Sequence, residues 1–153
     1  MSRPIRIPRH SQRLLEIAAD DAQLQELMPD VGVLAAVCEP ELLLEQVIER
    51  SLHGYAPRPV LGERRYDVAV DAATGRRVRT LQPRFDTITY GELHDRVRRV
   101  ASAWRHVERY RVDEGDFVCI LGFAGVDFMT VDLALAYRRA VSVPLQTTLA
   151  GAD

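Results

Sequence analysis

The residues nearest to a phosphate cradle are Gly122-Phe123-Ala124-Gly125, between the apolar run Phe117–Leu121 and a helical pattern. Backbone N–H groups of a glycine turn at a helix N-terminus attract phosphate. The longer G-x-G-x-x-G and G-x-x-x-x-G-K-[ST] patterns are absent. A tight strand-to-helix turn without a ligand explains the same four residues and is the preferred reading. All 20 basic residues are arginine. The chain therefore supplies no Schiff-base or phosphate-loop lysine. Arg76, Arg77, Arg79 and Arg84 gather in one stretch, and Arg96, Arg98, Arg99 and Arg105 in another with Tyr110. The first group suits a phosphate site or a charge-guarded edge strand, and the second an RNA-binding face or a solvated helix face. Interleaved acids (Glu92, Asp95, Glu108, Asp113, Glu114) and a net charge of −2 favour the solvated readings, so no nucleic-acid partner is expected.

Other catalytic constellations are missing. Cys38 and Cys119 are far apart, no C-x-x-C occurs, and the four histidines are scattered, so zinc spacing is absent. Cys119 lies in an apolar run and is expected as a buried, reduced thiol. Asp20–Asp21 and Glu114–Asp116 fall in polar stretches where nothing raises a carboxylate pKa, and read as solvating charges. There is no G-x-S-x-G and no H-E-x-x-H. No catalytic, cofactor-binding or metal-ligating residue is assigned.

The elements that would position such groups are clearer. With 153 residues, 47% hydrophobic and 27% charged, the chain is one globular domain or part of one. No apolar run approaches the ~18 residues of a membrane span. Met1–His10 has charge but no apolar segment behind it, which argues against a secretory signal and for a loose arm in a cytoplasmic protein. Ser11 is placed to cap a helix to about Met28, with Leu14, Leu15, Ala18, Leu24, Leu27 and Met28 as its apolar stripe. Val31–Val37 is an apolar run whose period does not separate helix from strand. Pro40 suits the first turn of a helix reaching His53, with Gly54 as C-cap.

From Val60 the period becomes two. Tyr66, Val68 and Val70, a turn at Asp71–Gly75, and Val78 and Leu81 predict a β-hairpin, and Phe85–Ile88 a further short strand. Thr89-Tyr90-Gly91-Glu92 is a capping box opening a helix with Leu93, Val97, Val100, Ala101, Trp104 and Val107 on one face. Gly115–Leu145 then reads as strand–helix–strand: Phe117–Leu121, a helix with Asp127 at its start and Phe128, Val131 and Leu135 toward the sheet, and Val141–Leu145.

In this order and spacing the chain resembles the N-terminal end of the adenylate-forming superfamily, which includes the acyl-CoA synthetases. The residues that carry the likeness are Ile88–Leu93, the Leu/Val/Ala/Trp helix after it, Glu114–Val118 and Ala140–Leu145. Leu81–Tyr90, Gly115–Phe123, the hairpin turn at Asp71–Arg76 and the helical extension before Cys38 make the chain more similar to the carboxylic acid reductases, also labelled fatty-acid–CoA ligases. The likeness runs from about residue 9 to 149.

The resemblance implies an α/β fold: an incomplete N-terminal part of the adenylate-forming enzyme fold, with a helical N-terminal extension, a β-hairpin and a parallel βαβ unit. It divides the chain into an arm and extension over 1–37 and the start of a truncated adenylation domain over 38–153. It implies a parent enzyme that activates a fatty or aromatic carboxylic acid with ATP and Mg, passes the acyl group to a phosphopantetheine arm and releases an aldehyde with NADPH. The family's Ser/Thr/Gly-rich phosphate loop, aromatic-Gly-x-Thr-Glu motif, ribose-binding Asp, catalytic Lys, carrier serine and NADPH glycine motif have no counterpart here. The chain alone is therefore expected to be inactive. The alternative is a stand-alone module or relic that binds a partner, or itself, through an open sheet edge. One departure stands out: where the family has Leu-Gly before Ala-Val, this sequence has Arg138-Arg139. An arginine in the left-handed conformation that a glycine accepts there costs roughly 1 kcal/mol.

Overall fold

The structure is a computed structural model and describes residues 9–145; of the loose arm expected over Met1–His10, residues 1–8 lie outside them and Arg9 and His10 are helical instead. The elements in order are α1 (Arg9–Asp20), α2 (Ala22–Leu27), α3 (Val31–Val37), α4 (Leu44–Gly54), β1 (Pro59–Val70), β2 (Arg77–Thr89), α5 (Tyr90–His106), a 3₁₀ turn at Glu108–Tyr110, β3 (Phe117–Leu121), α6 (Val126–Tyr137) and β4 (Val141–Leu145). The α/β class, the hairpin and the parallel βαβ unit expected from the sequence are all present.

The N-terminal helices depart from expectation for local reasons. The helix expected over Ser11–Met28 already runs from Arg9 and breaks at Asp21. The Asp21 carboxylate accepts from the backbone N–H groups of Gln23 (2.9 Å) and Leu24 (3.0 Å), starting a second helix instead of continuing the first. Val31–Val37, which the period left undecided, is helical and is capped by Asp30 through Val33 N–H at 2.9 Å. Pro40 does not open α4. Glu41 takes a positive φ of 68°, and the helix starts at Leu44, where the Gln46 side chain accepts from Leu43 N–H. Gly54 is not a left-handed cap either: it ends α4, and a Cβ there would lie 2.5 Å from Val33 Cγ2. Its role is to let α3 approach α4.

The hairpin is longer than the sequence suggested, because Phe85–Ile88 belongs to β2. Pairing runs from Pro59↔Thr89 to Val70↔Arg77, with an irregularity where Arg64↔Phe85 gives way to Tyr66↔Leu81. Pro83 falls in that irregularity, as a residue with no N–H to give the ladder must. At the tip, the Asp71 carboxylate accepts from Thr74 N–H (2.7 Å), Thr74 Oγ1 (2.8 Å) and Ala73 N–H (3.1 Å), and Gly75 provides a φ of 67°. These bonds, those from Thr74 first, hold the Asp71 carboxyl below its ordinary range.

The capping box at the head of α5 forms as read: Glu92 N–H donates to Thr89 Oγ1 at 3.2 Å, and Thr89 N–H donates to the Glu92 carboxylate at 2.8 Å. The stripe behind it becomes the core, except Val107, which lies past the helix end in extended backbone and is exposed. Leu93, Val97 and Ala101 of α5 pack with Leu52 of α4 and Ala134 of α6, and Val60, Leu61 and Ile88 from the hairpin root close around them. Helix α6 is buried on more than one side, through Val126, Thr130 and Ala134 and also through Leu135. Strands β3 and β4 pair in parallel from Phe117↔Val141 to Leu121↔Leu145. The turn between α6 and β4 is a Schellman motif: Arg139 N–H donates to Ala136 O and Ala140 N–H to Leu135 O, each at 3.0 Å, with Arg139 at φ 53°. The left-handed arginine expected from the sequence is present.

Candidate functional site

The glycine turn between β3 and α6 is where a phosphate would bind if this chain held one. Its geometry answers the two readings. Gly125 is extended at φ −172°, a conformation open to any residue. A Cβ there would lie 2.8 Å from Glu63 Oε1, the far end of a flexible side chain, so a larger residue would displace that carboxylate. That oxygen accepts from Val126 N–H at 2.9 Å. The first backbone donor of α6 thus faces a carboxylate sent from the hairpin, which also complements the positive end of the helix dipole. The first donor an anion would use is taken from within the chain, while a concave space of about 360 Å³ remains along Gly122–Gly125. A Cβ at Gly122 would meet open space. Sequence reasoning missed Glu63 because it is 63 positions from Val126 and belongs to no local motif.

Beside this contact lies a concave patch of about 350 Å³ between hairpin and α6. Arg64, Arg65 and Arg96 line it, and so do Glu63, Asp86 and Asp127. The charges are matched: Arg65 Nε donates to Asp86 at 2.8 Å, and Arg96 reaches Asp127 at 4.0 Å. Arg64 lies over the Phe85 ring at 5.6 Å and Arg79 over Tyr66 at 4.5 Å. Arg84 donates to Gln82, and Arg99 to the backbone carbonyl of Asp95. The hairpin arginines therefore do not converge on one point. Arg98, Arg99 and Arg105 are exposed on α5, and Tyr110 pairs with its neighbour Arg109. A larger groove, about 610 Å³, lies between α2 and the α4–β1 connection. Its arginine is occupied as well: Arg58 donates to Met28 O at 2.9 Å and lies 4.8 Å from the Tyr55 ring centre.

The remaining candidates are dispersed. Cys119 is not buried, contrary to expectation; it and Cys38 are free and exposed. In β3, Val118 and Ile120 are on the more buried side, while Phe117, Cys119 and Leu121 are on a side that nothing covers among the described residues. The acidic pairs serve the backbone. Asp21 caps α2, and Asp116 accepts from Asp113 N–H at 2.8 Å. Among the described residues, no group of three His, Cys, Asp or Glu side chains could hold a metal ion. No described helix is long and apolar enough to cross a membrane.

Two ionisable contacts surround α4. Arg139 donates to the Glu45 carboxylate from Nε at 2.8 Å, with Nη2 2.7 Å away. Burial acts to raise the Glu45 pKa, but its own backbone N–H and the Arg139 guanidinium outweigh this and hold it below the ordinary range. Further along α4, near Glu49 and His53, His94 of α5 is buried and held below its ordinary value, chiefly by burial and then by Arg98. Burial and Glu49 push the Tyr137 hydroxyl up to about 12.

No protein-family model matches the chain. Among curated proteins it is 41% identical over 150 residues to the carboxylic acid reductase of Mycobacterium marinum, an alignment that covers 98% of this chain and 13% of that protein. Among solved structures it superposes with TM-score 0.77 and 35% identity on the A domain of carboxylic acid reductase from Segniliparus rugosus, in complex with AMP and a co-purified carboxylic acid; 92% of this chain and 22% of that one are covered. The A-PCP didomain of the reductase from the same organism, in complex with AMP, gives TM-score 0.76 at 34% identity over 92% of this chain and 19% of that one. The chain thus spans about 13% of the length of the curated relative it matches.

Proposed function

We propose that this chain, homologous along nearly its whole length to part of the carboxylic acid reductase adenylation domain, is scaffold for carboxylate activation and does not hold the reacting groups. In this reading the whole enzyme uses ATP and Mg to turn a fatty or aromatic acid into an acyl-adenylate and pyrophosphate. A phosphopantetheine arm then takes the acyl group as a thioester, and NADPH reduces it to the aldehyde, in the cytoplasm. Residues 1–37 are the extension in this reading, and its described part is tied to the rest of the chain by Arg58 on Met28 O and Arg50 on Ala36 O. The likeness to an A domain holding AMP and a carboxylic acid supports the reaction class. The observation that carries the scaffold role is Glu63 at the head of α6, where its carboxylate already takes the first backbone donor. The described arginines add no second place for AMP, being paired, stacked or dispersed.

ATP–pyrophosphate exchange by the purified chain with a panel of fatty and aromatic acids tests the scaffold role. No turnover above background is expected, and any acid-dependent exchange overturns it. The reaction class is tested by grafting residues 9–145 over the matching stretch of the Segniliparus rugosus A domain. The chimera should retain acid-dependent exchange; a folded but silent chimera counts against the assignment.

A second reading is supported by the uncovered side of β3. Phe117 is 76% exposed and Leu121 68% exposed, on a sheet of only two strands among the described residues. In that reading the chain is an interaction module that binds a partner protein through this sheet and its open edge. A sharp two-state melt with a monomeric sedimentation profile would support a self-sufficient module, whereas aggregation would support the scaffold reading.

A further inference from the structure

The junction of α4, α5 and α6 buries two polar atoms without hydrogen-bond partners, His94 Nε2 and the Tyr137 hydroxyl. The His94 side chain is 9% exposed. The two rings are tilted at 56° with centroids 6.4 Å apart, and Tyr137 packs on the buried cluster of Leu52, Leu93, Val97 and Ala134. The charged and titratable groups around His94 are Glu49 and His53 from α4, Asp95 and Arg98 from α5, and Tyr137 from α6. Toward the N-terminal end of α4, the Glu45–Arg139 pair fastens the helix to the turn after α6.

We propose that α4 is an acid-released element: it docks on α5 and α6 while His94 is neutral and Glu45 is charged, and acidification undoes first one contact and then the other. A proton on His94 would place a cation in a buried site, with Arg98 and His53 already nearby. Buried polar groups are ordinarily satisfied, and these two orphans mark a joint whose packing tolerates only the neutral imidazole.

The order of the two steps comes from the directions of the shifts. His94 lies below its ordinary 6.5, so the released state binds a proton that the docked state refuses. Docking is therefore complete above 6.5 and weakens as pH falls below it. Glu45 lies below its ordinary 4.5, so its contact is intact above 4.5 and is lost as pH falls through the lowered value. Release of α4 would uncover Leu52 and the faces of α5 and α6 that it covers.

Hydrogen–deuterium exchange on the full chain at pH 7.5, 6.0 and 5.0, corrected for intrinsic rates, tests the proposal. Protection over 44–54 should fall by up to about tenfold per pH unit below 6.5, ahead of any loss in 117–121. His94→Leu should flatten this dependence over the same range, while Tyr137→Phe, which removes an orphan hydroxyl but keeps the imidazole, should retain it. Equal protection of 44–54 at all three pH values in the unaltered chain, or an unchanged slope in His94→Leu, overturns the proposal. If His94→Leu does not fold, an NMR titration of His94 decides: a pKa at or above 6.5 refutes it and one clearly below supports it.

Discussion

Arg139 and Glu63 show how a residue's role depends on the distance of its partners. The left-handed conformation of Arg139 was legible, because a helix end followed by a strand demands a tight reversal and the family that the sequence resembles places glycine there. Its compensation was not legible, because Glu45 is 94 positions away. The two effects can be separated. Arg139→Ala keeps the backbone strain and loses the ion pair; Arg139→Gly loses the pair and relieves the strain. The glycine variant should exceed the alanine variant by about 1 kcal/mol in denaturant unfolding, and equal midpoints would mean that the turn is unstrained. Glu63 poses the opposite case, since its strand position gave no hint of its contact with Val126 N–H. Glu63→Ala should cost about 1 kcal/mol, the usual loss of a helix N-cap, and Glu63→Gln less, because the amide oxygen still accepts. If both variants melt with the unaltered chain, the contact contributes nothing to joining hairpin and helix.

Local signals decide elements well when the competing signals are weak. The α5 capping box, its stripe and the strands on either side of α6 were all readable, because each element satisfies its own backbone and period. The failures came where a side chain captured backbone donors against the period, as Asp21 does, or where a neighbouring element decided the outcome. Gly54 is of the second kind: read locally it is a cap, but its real constraint is Val33 on another helix. Gly54→Ala should cost about 1–3 kcal/mol through overpacking, with Val33→Ala restoring part of it in a double-mutant cycle. A glycine acting as a left-handed cap would show no rescue by Val33→Ala. Thr89→Ala should cost about 1 kcal/mol and Thr89→Ser much less, as expected of a hydroxyl that caps α5.

For the whole molecule, the burial of β3 was the expectation that failed. A strand apolar on both sides predicts cover on both sides, yet Phe117, Cys119 and Leu121 face outward, with Phe123 85% exposed just beyond. The sequence encodes a strand apolar on both sides, and among the described residues only the side of Val118 and Ile120 is covered. Such a surface, on a protein with a net charge of only −2, has little electrostatic repulsion to oppose association. Sedimentation velocity should therefore show concentration-dependent association of the isolated chain. Leu121→Ser with Phe123→Ser should reduce it while leaving the midpoint of urea unfolding nearly unchanged, because neither side chain contributes much to the core. The core residue Leu135 provides the contrast: fully buried, its change to serine should destabilise the chain by several kcal/mol, about 2–5 for the lost packing alone. Association that persists in the surface variant would place the sticky surface elsewhere, with the exposed Tyr66, Val68, Val70 and Leu81 of the hairpin next to be altered.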